Sequence, residues 1–158
     1  NGDIMIIDIV EDINYKNMVE GQIFELCEYL IQNNAEFAIT ANIKVIEFTP
    51  NMPESISKSF QQFTMFSLMN YTFQSIELTP THISFEAGFG AENFGAVVTI
   101  PLFAIFQVII DESILFLNPV ATVDKFLNEK ENIEKETSNQ QERSMNAFTM
   151  NKKNKDLL

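Results

Sequence analysis

The sequence of 158 residues holds one cysteine, one histidine and ten basic side chains. With Cys27 alone there is neither a disulfide framework nor a cysteine-based zinc site, and with His82 alone there is no multi-histidine metal centre. The ten Lys and Arg face 22 Asp and Glu, for a net charge of −12. That balance argues against direct nucleic-acid binding, which needs clustered cations to neutralise phosphates, and against attraction to an anionic membrane surface. No apolar run reaches ~18 residues, the length expected of a membrane-spanning helix. The apolar start, Ile4 to Val10, has no basic segment before it and no cleavage signal, so a cytoplasmic chain is expected. A single thiol suits that reducing compartment.

What is present is apolar and uneven. Hydrophobic residues make up 46% of the chain and include 15 Phe, enough for a sizeable core in one domain with room for an appendage. Residues 1–123 hold three lysines (Lys16, Lys44, Lys58) against fifteen carboxylates, a net of −12, whereas residues 124–158 hold seven groups of each sign. Thirteen of the 15 Phe lie in the first segment; Phe126 and Phe148 are the exceptions. After Asn118-Pro119 the apolar runs give way to a Glu-, Lys- and Asn-rich stretch with too little apolar surface to offset its ordering entropy. Residues 1–122 are read as the folded domain and 123–158 as a flexible polar tail.

Periodicity predicts one clear helix. Ile23, Leu26, Cys27, Leu30 and Ile31 share one face, Glu25, Glu28 and Gln32 lie between them, and Asn33-Asn34 ends the run. Ile4 to Ile13 fits either a strand or a helix. Beyond Ala35 the period becomes two: Phe37, Ile39, Ala41 and Ile43 alternate with more polar neighbours, as do Phe66, Leu68 and Phe73, then Ile76 and Leu78. Glu54 to Phe60 suits a short helix opened by Pro53. Thr79-Pro80-Thr81-His82 predicts one hairpin connection, and Gly88 to Gly95 a second, leading into the strand Ala96 to Ile100 that Pro101 ends. Leu102 to Ile110 fits a buried helix or a strand, and Ile114 to Leu117 is a last apolar piece. The expected fold is mainly β with α, a small barrel or sandwich with a helix packed at one side.

The sequence offers little for catalysis. His82 sits in a turn without a nucleophile-elbow pattern, so a structural or solvent-exposed imidazole is the expectation. Cys27 lies on the apolar helix face and reads as a small core hydrophobe. Glu11-Asp12 and Asp111-Glu112 read as solvated loop charges, since neither has calcium-loop spacing. Gly88-Phe89-Gly90 lacks both the G-x-G-x-x-G spacing and a following helix, so hairpin geometry explains it better than phosphate binding. No enzyme activity, metal or cofactor is expected. Glycines beside a strand nevertheless let another backbone approach. Met65, Phe66, Met69, Ala87, Phe89 and Phe94 either line an adaptable groove there or simply alternate between core and surface.

Five runs carry a family resemblance: Met52 to Phe60, Phe63 to Asn70, Ile83 to Gly90, Val97 to Ile105 and Ile110 to Phe116. In this order, over about residues 20–118, the chain resembles the SspB family, stringent-starvation adaptors that deliver tagged substrates to the ClpXP protease. The most specific element is the family's Phe-x-Ala-x-Phe-Gly-Gly followed by Val-x-Val-Pro, matched here by Phe85, Ala87, Phe89 and Gly90, then Val98, Ile100 and Pro101. Gly88 stands where one branch has Arg, and Ala91 where the second Gly of the turn would be.

The resemblance implies a small SH3-like or Sm-like β-barrel with an N-terminal helix, a homodimer, that binds ssrA-type degradation tags in a surface groove. It also implies a tail that docks on the N-terminal domain of ClpX. Carried onto this sequence, the peptide contacts are Ala87, Phe89, Gly90, Ser67 and Met69, and the tether is Lys152, Lys153 and Lys155 with Leu157 and Leu158. The tail departs from the family's Leu-Arg-Val-Val-Lys type of ending. The acidic domain implies a basic or weakly charged tag unless a local patch compensates. A non-catalytic scaffold with a different partner on the same fold is the alternative, and a hydrolase dependent on His82 the remote third.

Overall fold

The computed structural model describes residues 3–128; the expected polar tail beyond them, with Lys152, Lys153, Lys155, Leu157 and Leu158, lies outside the described residues. The chain opens with a short helix α1 (Ile6–Val10) and the long helix α2 (Ile13–Gln32). Asp12 starts α2 by accepting from the backbone N–H groups of Asn14 and Tyr15 at 2.7 and 3.3 Å. The predicted stop at Asn33-Asn34 has a physical cause. Asn34 adopts φ 54°, and the N–H groups of Asn34 and Ala35 donate to the carbonyls of Ile31 and Leu30, which satisfies two end carbonyls of the helix.

The helix is longer than the apolar face predicts, and its buried side is Lys16, Val19, Ile23, Cys27 and Leu30. Lys16 is the unexpected member. Its ammonium lies 4.6 and 5.2 Å from the ring centres of Phe103 and Phe126 and 3.5 Å from the Glu20 carboxylate, so a charge is tolerated on a core-facing position.

Strands follow as β1 (Phe37–Asn42), β2 (Glu47–Thr49), β3 (Phe63–Leu68), β4 (Glu77–Leu78), β5 (His82–Phe89), β6 (Phe94–Pro101), β7 (Ile105–Ile110) and β8 (Ser113–Leu117). Helix α3 (Glu54–Ser57) lies before β3, α4 (Tyr71–Gln74) between β3 and β4, and α5 (Asp124–Leu127) after β8. All pairings are antiparallel and form two four-stranded sheets, in the orders β3-β1-β7-β8 and β2-β6-β5-β4. Hydrogen bonding does not join them into a closed barrel, so the mixed α/β, β-rich expectation holds in its sandwich form rather than its barrel form. Phe37 and Ile39 of β1, Ile83 and Phe85 of β5, and Val98 and Ile100 of β6 share one core with α2.

Four expectations are corrected. Phe73 does not continue a strand: Asn70 at φ 53° turns the chain into α4, which carries Phe73 into the core against the ring of Phe37, edge to face at 6.3 Å. Ile43 leaves the β1 ladder for a single 3₁₀ turn, where Asn42 accepts from the Lys44 N–H. Gly88 and Gly95 are not loop residues but partners in the β5–β6 ladder, and the turn is the four residues Gly90 to Asn93. The packed body also runs past the expected boundary at 122, because Val123, Phe126 and Leu127 are buried.

Two fully covered asparagines fasten the end of the first sheet to the residues before α5. Asn118 donates to the carbonyls of Phe103 and Ile105, both at 2.9 Å, and accepts from the Val120 N–H. Asn42 donates to the Ala121 carbonyl at 3.1 Å. Replacing Asn118 by Ala strands three buried backbone groups. Asn118→Ala is therefore expected to lower stability by about 2–4 kcal/mol, read from the urea midpoint, and an unchanged midpoint would refute this role.

Candidate functional site

The residues with chemical potential are engaged in structure. Cys27 is fully covered, and burial pushes its thiol up to about 12 from 9.0. His82 is exposed at the start of β5; its Nδ1 lies 2.9 Å from the Thr81 hydroxyl, and its backbone N–H donates to Thr79 Oγ1 at 3.0 Å. Of the acidic pairs, Asp12 caps α2, and Asp111 takes φ 54° in the turn between β7 and β8. Among the described residues no group of three or more His, Cys, Asp and Glu could hold a metal ion.

A pocket of about 480 Å³ opens on the β2-β6-β5 sheet. Alternation along the β5–β6 ladder creates it. Phe85 and Val98, partners in register, turn into the core; the next pair, Glu86 and Val97, turns outward, with Thr49 of β2 on the far side of Val97. Farther along, the outward pair is Gly88 and Gly95, so where side chains would stand there is a trough. A Cβ at Gly95 would meet nothing within 4 Å, whereas one at Gly88 would lie 1.8 Å from the Asn93 side-chain oxygen. Asn93 thus closes one end of the trough, and Tyr71 and Thr72 of α4 form a wall.

The wall is tied to the floor. The Tyr71 hydroxyl donates to the Glu86 carboxylate, and that bond, followed by the negative charge itself, raises the phenol above its ordinary pKa. One residue earlier, the Asn70 N–H donates to the Glu36 carboxylate. Glu86 is the one charged residue among the pocket walls that the described residues form.

Backbone polarity adds a second feature. The Glu86 N–H donates to Ser75 Oγ at 2.8 Å, so it points away from β6. Amides repeat their direction every second residue in an antiparallel strand, so the Gly88 N–H and C=O also face away from β6. Strand β4 pairs only with Ile83 and Ser84. At Gly88, β5 therefore presents an edge that no strand among the described residues covers.

Of the residues expected to contact peptide, Ala87 lines the pocket and also packs against the core. Phe89 faces inward, within 6.4 Å of the Phe66 ring centre and closer to those of Phe48 and Phe60. Gly90, at φ 72°, makes the turn beside Ile56. Ser67 lies on the exposed side of β3, paired with Ala38 of β1 in the sheet that does not carry the pocket, and Met69 is exposed just beyond it. Of the five expected contacts the structure thus gathers only Ala87 with Thr49, Tyr71, Glu86, Gly88, Gly95 and Val97, and leaves Phe89, Gly90, Ser67 and Met69 outside those walls. The strand alternation already sets Glu86 opposite in facing to Phe85, but no local pattern announces Tyr71 or Thr49. No family model and no curated protein matches this chain.

Burial makes Cys27 a test of the core beside this site. Its thiol is expected to react with Ellman's reagent at pH 8 only as fast as the chain unfolds, and immediate labelling of the native protein would contradict its placement. Because the folded value lies above the unfolded one, the stability linked to this group is complete below pH 9.0 and is lost as pH rises toward 12, by up to about 1.4 kcal/mol per pH unit. A Cys27→Ala variant should lack that increment in alkaline denaturation.

Proposed function

We propose that this chain is a non-catalytic peptide-binding adaptor of the SspB kind, cytoplasmic and homodimeric. Its body holds an ssrA-type degradation tag, and the segment after residue 128, ending in Lys152, Lys153, Lys155, Leu157 and Leu158, docks on the N-terminal domain of ClpX. The observation that carries the reading is the trough at Gly88 and Gly95 beside the open edge of β5. An extended peptide needs this combination: backbone groups to pair with, and no side chains in the way. At about 480 Å³ the pocket is also of ordinary size for a ligand site. The match of Phe85, Ala87, Phe89 and Gly90 to the family pattern falls on the same hairpin.

The mechanism requires no bond to be made or broken by the adaptor. Holding the tag on one segment and the unfoldase on another turns a bimolecular encounter into one at high effective concentration, so degradation of tagged substrate speeds up at low substrate levels.

Gly95 gives a cleaner test than Ala87, where a larger side chain would disturb core and pocket together. Gly95→Leu fills the trough without meeting another atom at Cβ. Fluorescence anisotropy with a labelled ssrA-type peptide is expected to show at least a tenfold loss of affinity at an unchanged melting temperature. Equal binding by the variant would remove the site from this pocket. Ending the chain after residue 128, which keeps buried Phe126 and Leu127, should preserve peptide binding and abolish binding to the ClpX N-terminal domain.

A further inference from the structure

Resting on the peptide-site reading, we infer that the pocket selects a peptide that places a lysine or arginine side chain on the Glu86 carboxylate, with Tyr71 holding that carboxylate in position. Among the described residues Glu86 is the only charged group in the walls, and none of the described lysines, Lys16, Lys44, Lys58 and Lys125, lines the pocket. A carboxylate has about four acceptor sites, and the phenol occupies one at Oε2. Glu86 lines the same pocket as Gly88 and Gly95, which contribute no side chain that would compete for the remainder.

The surroundings reinforce the sign. Glu36 binds the backbone one residue before Tyr71, which brings a second carboxylate to the start of the same wall. Residues 1–123 carry three lysines against fifteen carboxylates. A peptide rich in Asp or Glu would approach against this field, whereas a cationic one is drawn in. The hydroxyl bond from Tyr71 contributes orientation rather than charge: it fixes one carboxylate oxygen against α4.

The contact is exposed, so its effect belongs to the range of a surface ion pair, about twofold to fivefold in affinity at low salt, and it fades as salt screens it. The test uses the full chain and fluorescein-labelled decapeptides with a fixed Ala, Asn and Tyr frame. Lys, Gln or Glu is placed at each position in turn. One position is expected to show the order Lys tighter than Gln tighter than Glu, and in Glu86→Gln that order should collapse while the Gln peptide keeps its affinity. Tyr71→Phe should keep the order and narrow it.

If the peptides bind, lose affinity with Gly95→Leu, and yet show no such position, or show an order that survives Glu86→Gln, the charge selection is wrong and the peptide site stands. If none binds, or Gly95→Leu has no effect, the peptide-site reading falls and the inference with it.

Discussion

The eight-residue register between β5 and β6 is the constraint on which both core and pocket depend. With a period of two, the ladder sends Phe85, Val98, Ile83 and Ile100 into the core and Glu86, Val97, Gly88 and Gly95 to the opposite face. A slip of one residue would exchange the two sets, burying Glu86 and exposing Phe85. The burial of large aliphatic and aromatic side chains therefore holds the outward row in place, and core stability and site geometry are one quantity in this hairpin.

Around that ladder, polar groups set the edges. Asn34 and Asn93 both take positive φ, where few residues other than glycine are at ease, and each sits at a reversal: the end of α2 and the β5–β6 turn. Asn118 and Asn42 satisfy backbone groups that the 3₁₀ segments cannot pair among themselves, which lets residues 119–127 close over the core. Phe48, Phe60, Phe66 and Phe89 pack as a ring cluster beneath the turn and stiffen the end of the sheet nearest the trough.

Much of this was legible in the sequence because it is local. The face of α2 from Ile23 to Ile31, its stop at Asn33-Asn34, the hairpin at Thr79 to His82 and the exposed, turn-bound His82 each follow from spacings within a dozen residues. Phe73 was illegible for an equally physical reason: an aromatic at strand spacing is indistinguishable from one that a single helical turn carries inward, and only the positive φ of Asn70 separates them. Lys16 escaped because a cation reads as solvent-facing until Phe103 and Phe126, roughly ninety residues or more away, are folded against it.

Neighbours along the chain were enough to place most of α2, the apolar alternation of the long strands and the concentration of negative charge before residue 124, since each is a local property. Which sheet face stays open among the described residues is instead a matter of tertiary packing. Thr49, Tyr71, Glu86 and Val97 become neighbours through strand order and through α4 folding back onto β5, and neither is encoded in any local period. The glycines are the bridge between the two levels: their presence is plain in the sequence, but that Gly88 and Gly95 face each other across a ladder, rather than loosening a loop, depends on pairing that only the folded sheet imposes.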